Sequence, residues 1–183
     1  ELVTKAMQAG LVPDTFPQRG LVQDISEVWN DFADAVGVFE QTEVLCSLAR
    51  EVLTESIKLS FAGTISFDDQ IYMSVLFHGV FPRFTLVMVD EAQDQSILNI
   101  KMIQRCAADR LIVVGDPKQA CYVWRGAAGD AMERLRALRT EWIDLPLATT
   151  FRCPKVVVGR NQRHAPGFKA YDSNKDGVHM RLP

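Results

Sequence analysis

Thr85-Leu86-Val87-Met88-Val89-Asp90-Glu91-Ala92-Gln93-Asp94 is the stretch that decides how this chain folds. A short apolar, β-branched run that ends abruptly in two acids reads as a buried strand with carboxylates at its carboxyl end. Leu111-Ile112-Val113-Val114 repeats the pattern and ends in Gly115-Asp116. Between the two runs, Ile97, Ile100, Ile103 and Ala107 recur at helical spacing. Buried strand, helix, buried strand is the signature of a parallel-sheet α/β architecture. In such sheets chemistry gathers just beyond the carboxyl ends of the strands, where Asp90, Glu91 and Asp116 fall.

Upstream, residues 1–80 read as mainly helical. After Pro13, Pro17 and Gly20, the residues Ile25, Val28, Trp29, Phe32, Ala33 and Val36 mark one helix. Thr42 is a plausible N-cap for a second, with Val44, Leu45, Leu48, Ala49, Val52, Leu53 and Ile57 expected on its buried face. Gly63 ends it, and the S-x-x-D pattern of Ser66 and Asp69 opens a third helix reaching about Phe77. Downstream, a charged helix is expected over about 130–139 and a third strand over Trp142–Leu147. Phe151-Arg152-Cys153-Pro154 then leads into a further helix. Asp172-Ser173-Asn174-Lys175-Asp176-Gly177 imitates the start of a calcium loop, but Pro183 stands where a bidentate Glu belongs. It reads as a polar turn leading into a strand.

Composition narrows the partners. The chain has 183 residues, 48% hydrophobic and 23% charged, with a formal net charge of -3. That describes a folded globular chain able to bury one fair-sized core or two small ones, not a disordered one. It carries no overall basic field, so any DNA contact must come from a local patch. Arg152, Lys155, Arg160, Arg163 and Lys169 form one such run, with no acid between Asp144 and Asp172. A solvated face and a phosphate-facing surface both fit that run. Cys46, Cys106, Cys121 and Cys153 form no C-x-x-C pair and lack a His at ligand spacing. They read as buried reduced thiols rather than a zinc site. No apolar run is long enough for a membrane span, and the expected setting is the cytoplasm or nucleoid. The chain begins at Glu1 inside helix-like sequence, as a truncated piece would.

Three segments carry chemistry. In Val89–Asp94, Asp90 at a strand end suits Mg²⁺ held through water against nucleotide phosphates, and Glu91 can orient or deprotonate an attacking water. In Val114-Gly-Asp-Pro-Lys-Gln-Ala-Cys-Tyr-Val-Trp-Arg-Gly-Ala127, Gln119 is placed to sense a γ-phosphate. Tyr122, Trp124 and Arg125 suit stacking on unpaired bases, at about 1–3 kcal/mol per base. Core packing is the competing reading for the two aromatics. In Leu147-Ala-Thr-Thr-Phe-Arg-Cys-Pro154, Arg152 after a strand has the placement of an arginine finger, against the blander reading of a surface ion pair.

Taken together, in this order, DEAQD, GDPKQACYVWRGA and TTFRCP resemble the UvrD/Rep/PcrA family of superfamily 1 DNA helicases. The upstream Ile65-Ser66-Phe67-Asp68-Asp69 looks like the F-D-D segment which that family places before the first of them. The resemblance covers roughly residues 60–180. It implies a partial RecA-like motor domain: residues 1–80 an inserted helical subdomain, 81–150 the motor part with the two central motifs, and 151–183 the start of a second motor domain. It further implies Mg²⁺ on Asp90, water activation by Glu91, and γ-phosphate coupling through Gln93 and Gln119. Arg152 would contact the γ-phosphate, Phe151 would stack on the nucleotide base, and Tyr122, Trp124 and Arg125 would line the single-strand track. Thr150-Phe151 replaces the family's usual Asn-Tyr, and Cys121 replaces its usual Ile.

No Gly here is followed by Lys, so the G-x-x-x-x-G-K-[ST] phosphate loop is absent from this stretch. The expectation is therefore a piece of an ATP-dependent, 3′-to-5′ DNA helicase acting on single strands and duplex junctions, inactive by itself and open to protein partners. The alternative is a non-catalytic module that binds single-stranded DNA or protein. A sheet lacking the strand that carries the loop would also leave an edge exposed.

Overall fold

The computed structural model describes residues 1–16, 20–121 and 126–180, and the chain divides into two compact units, Glu1–Thr140 and Glu141–Pro183. The first is mixed α/β. Its helical part comprises α1 (Leu2–Ala9), α2 (Ser26–Ala35), α3 (Thr42–Phe61) and α4 (Phe67–Leu76). They close on a core in which Leu11, Trp29, Leu53, Ile57 and Tyr72 are fully buried.

The carboxylates of Asp24 and Asp69 and the Tyr72 hydroxyl in this part are matched. Asp24 accepts from Trp29 Nε1 at 2.6 Å, Arg50 Nε at 2.8 Å and the Asp14 amide at 3.0 Å. Burial works against its ionisation, yet these hydrogen bonds and the Arg50 charge outweigh it and hold the carboxyl below the usual range. The Tyr72 hydroxyl donates to the Leu11 carbonyl at 2.6 Å. Ser66 and Asp69 form the reciprocal capping box expected of them, and Ser56 also donates to Asp69 at 3.1 Å.

The buried face of α3 meets expectation at Ala49, Leu53 and Ile57 and departs from it elsewhere. Cys46, Ala49, Leu53, Ile57 and Ser60 face inward, whereas Val44, Leu45, Leu48 and Val52 are exposed. Apolar residues almost encircle its first turns, so periodicity alone allowed two stripes, and packing selected the 46/49/53/57/60 one.

The sheet part runs β1 (Phe84–Val89), α5 (Ile97–Cys106) and β2 (Ala107–Val113), followed by α6 (Ala131–Arg136). β1 and β2 pair in parallel, with Val87 opposite Leu111 and Val89 opposite Val113. β2 starts at Ala107, earlier than its apolar run, because parallel pairing with β1 sets Ala107 opposite Phe84 and Arg110 opposite Leu86, with an irregularity between them. Val87, Val89, Leu111 and Val113 pack with Ile100, Ile103 and Leu135. The opposite face, formed by Phe84, Leu86, Met88, Ile112 and the adjoining Val114, is exposed.

In the second unit, β3 (Thr149–Thr150) pairs in parallel with β4 (Lys169–Ala170), and α7 (Lys155–Asn161) lies between them. The strand expected over Trp142–Leu147 does not form: pairing begins only at the Ala148 carbonyl, which accepts from Lys169. Pro146 has no amide to give a ladder, and Ile143, Leu145 and Leu147 are all exposed. Asp172–Asn174 is the expected turn, but residues 175–180 form no strand; the strand precedes the turn instead. Of the cysteines only Cys46 is buried, while Cys121 is exposed. No helix among the described residues is long and apolar enough to cross a membrane.

Candidate functional site

The carboxyl ends of β1 and β2 adjoin because the strands are parallel and in register. Val114 N donates to the Val89 carbonyl at 2.8 Å, and Ala92 N donates back to the Val114 carbonyl at 3.0 Å, which carries the pairing past both strand ends. Asp90 and Glu91 emerge there and are exposed. The Glu91 amide donates to Asp90 Oδ1 at 2.9 Å, and Glu91 itself sits in the left-handed region at φ 46°. A non-glycine residue held there costs of order 1–3 kcal/mol, and such strain concentrates where side chains must be aimed.

Gln93 organises the rest. It is only 3% exposed, on the short 3₁₀ turn Ala92–Asp94 that follows. Its Nε2 donates to Glu91 Oε2 at 2.7 Å, and its Oε1 accepts from the Asp116 amide at 3.1 Å. Asp116 in turn caps the turn Pro117–Gln119, accepting from Lys118 N at 2.9 Å and from Gln119 Nε2 at 2.9 Å. Glu91, Gln93, Asp116 and Gln119 thus form one hydrogen-bonded chain across the two strand ends. Gly115 makes it possible: a Cβ there would lie 2.7 Å from Gln93 Oε1 and 3.0 Å from the Ala92 nitrogen. Two hard-oxygen carboxylates exposed at a strand end are a donor set suited to hydrated Mg²⁺.

Tyr122, Trp124 and Arg125 lie outside the described residues. Flanking them, Gly126 borders an open hollow of about 430 Å³ lined by Met7, Gln8, Phe67, Ile71, Asp94 and Asn99 among others. Phe67 is 90% exposed. Gln8 Oε1 and Asp94 Oδ1 are buried in its wall with no hydrogen-bond partner among the described residues.

In the second unit, Phe151 and Arg152 follow β3 and are both exposed. Phe151 packs on Tyr171 with ring centroids 4.6 Å apart. Thr150 Oγ1 accepts from the amides of Arg152 and Cys153, each at 3.2 Å.

Reading the sequence missed Asp116 as a hub, along with Phe67 and Tyr171. The Asp116-Pro117 pair was a usable signal for a turn cap. Nothing local could announce that residues 93 and 116 meet, since that contact exists only through the strand register.

Residues 34–138 match the family described as UvrD/REP helicase N-terminal domain. The RecBCD enzyme subunit RecB of Mycolicibacterium smegmatis is 34% identical over 133 residues, covering 65% of this chain and 12% of that protein. A probable DNA helicase II homolog of Mycoplasma capricolum is 28% identical over 136 residues, 66% of this chain and 19% of that protein. The DNA helicase II of Escherichia coli is 36% identical over 72 residues, 38% of this chain and 9% of that protein. The chain spans less than a fifth of the length of each of these relatives.

Proposed function

The chain belongs to the UvrD/Rep helicase family, and from that premise we propose that it is part of an ATP-dependent DNA helicase, moving 3′-to-5′ on single strands. The parallel β1–α5–β2 unit is read as part of a RecA-like motor domain. The observation that carries the proposal is the buried Gln93 bridge, which ties Glu91 to the Asp116–Gln119 turn. A module that only bound DNA would have no use for a buried amide holding an exposed, strained glutamate.

In this reading Asp90 holds Mg²⁺ through water, and the ion when bound supplies charge neutralisation on the phosphate oxygens. Gln93 occupies Glu91 Oε2, so Oε1 is the oxygen that takes the proton from the attacking water. Gln119 meets the γ-phosphate and reports its loss through Asp116 and Gln93 to Glu91. Arg152 is the residue of the second unit with the chemistry of a phosphate-contacting guanidinium, and Phe151 that of a ring to stack on a base. Tyr122, Trp124 and Arg125 form the DNA track. The exposed Phe67 offers a further ring on which an unpaired base can stack. One relative carries the name of a RecBCD subunit, which makes a protein partner part of the proposal.

The phosphate loop is absent from these residues, so ATP turnover belongs to the full-length protein and not to residues 1–183 alone. The test is steady-state ATP hydrolysis by both, with and without single-stranded DNA. Hydrolysis by the full-length protein, raised at least tenfold by DNA and absent from the isolated chain, supports the reading. A full-length protein that binds single strands but leaves ATP intact contradicts it and favours the non-catalytic binding module.

A further inference from the structure

The turn that carries Phe151 and Arg152 is held by a segment the proposed function does not use. After β4 the chain folds back as Tyr171–Gly177, and Asn174 Nδ2 donates to two carbonyls, Thr150 at 2.8 Å and Cys153 at 2.9 Å. These bracket Phe151-Arg152 on either side. Asn174 is fixed in place, since its own amide donates to the Tyr171 carbonyl at 2.9 Å while the Tyr171 ring packs on Phe151. Further along, the Lys175 and Asp176 carbonyls accept from the Lys155 and Val156 amides, each at 3.0 Å. Gly177, at φ 77°, lets the segment close over Pro154, where a Cβ would come within 2.7 Å of the proline side chain. From inside the turn, Thr150 Oγ1 accepts from the Arg152 and Cys153 amides.

An exposed arginine gains nothing for itself from so many bonds to the backbone around it. They make sense if the direction in which Arg152 leaves the strand must be fixed before it meets its target, because a misplacement of about 1 Å at such a group can cost on the order of 100-fold in rate. We propose that Asn174 and Thr150 are positioning residues, and that Tyr171–Gly177 is a clasp which holds the Phe151–Arg152 turn ready for the phosphate. The inference rests on the reading of Arg152 given above.

The experiment uses the full-length protein with MgATP and saturating single-stranded DNA, and compares kcat for Arg152→Ala, Asn174→Ala, Thr150→Val and Thr150→Ser. Arg152→Ala should lower kcat by about 10³-fold or more. Asn174→Ala and Thr150→Val should each lower it by about 10- to 100-fold, with Thr150→Ser, which keeps the acceptor oxygen, restoring most of the loss. Introduced into Arg152→Ala, neither substitution should lower kcat further. Thr150→Val keeps the test alive if Asn174→Ala fails to fold. An Arg152→Ala enzyme with normal kcat overturns the reading of Arg152 and this inference with it. A strong Arg152→Ala defect beside normal kcat in Thr150→Val, or losses that add in the double variants, overturns the clasp alone.

Discussion

Within Glu1–Thr140, the helical part and the strand ends treat their carboxylates in opposite ways. The side chain of Asp24 and the whole of Asp69 are enclosed, hydrogen-bonded through both oxygens and held below the usual carboxylate range, so they act as fixed structural anions. Asp90 and Glu91 are exposed at the end of β1, and the buried group beside them is a neutral amide, Gln93. Apolar side chains divide in the same way. The helical core encloses Trp29 completely, whereas the sheet leaves Phe84, Leu86 and Met88 exposed on one face. The contrast teaches that stability and chemistry reside in separate places. Burial fixes a carboxylate by satisfying it, whereas the exposed Glu91 is held from behind by a buried amide.

The comparison can be broken most forcefully in the helical core. Trp29→Ala removes a fully enclosed ring and the Asp24 donor, and should cost about 3–5 kcal/mol in chemical denaturation of this chain. Gly115→Ala should cost less stability, about 1–3 kcal/mol for the crowding, yet displace Gln93 and lower ATP turnover of the full-length protein by about 100-fold. If both substitutions merely lowered stability, the division between scaffold and site would be wrong.

A smaller effect is expected at Asp24. Asp24→Asn keeps the shape but sets an NH2 group where an oxygen accepts from an N–H, at a cost of about 1.5–3 kcal/mol by denaturant titration near pH 7. Because the folded-state values of Asp24 and Asp69 are depressed, their stabilisation is present above the unfolded value of about 4 and is lost as pH falls through the folded values. The thermal midpoint should therefore fall steeply below about pH 4, and less steeply in Asp24→Asn. At the small end, Met88 is 69% exposed, and Met88→Ala should change the stability of this chain by less than about 0.5 kcal/mol. A loss of several kcal/mol there would mean the open face is covered in solution.

How much could be read in advance follows the range of the interactions. β1 and the Ser66–Asp69 cap are local patterns, and both formed where their residues announced them. The inward face of α3 was ambiguous because Val44, Leu45 and Leu48 compete with Cys46 beside the shared Ala49, Leu53 and Ile57, and only the neighbouring helices decide. The Trp142–Leu147 run carries the right residue types but has Pro146 within it. At the site, Glu91, Gln93 and Gln119 could be singled out from their motifs. Their linkage through Asp116 depends on which strand lies beside which, and the grip of Asn174 on residues 150–153 depends on a return of the chain that no short pattern encodes.

The central claim is that Glu91, held by Gln93, activates water for ATP hydrolysis. Single-turnover hydrolysis of bound ATP, measured together with nucleotide affinity in the full-length protein and its Glu91→Gln variant, tests it most directly. The account predicts a fall of about 10²- to 10⁴-fold in the hydrolysis rate with ATP binding retained. Hydrolysis at the unaltered rate in Glu91→Gln would contradict it.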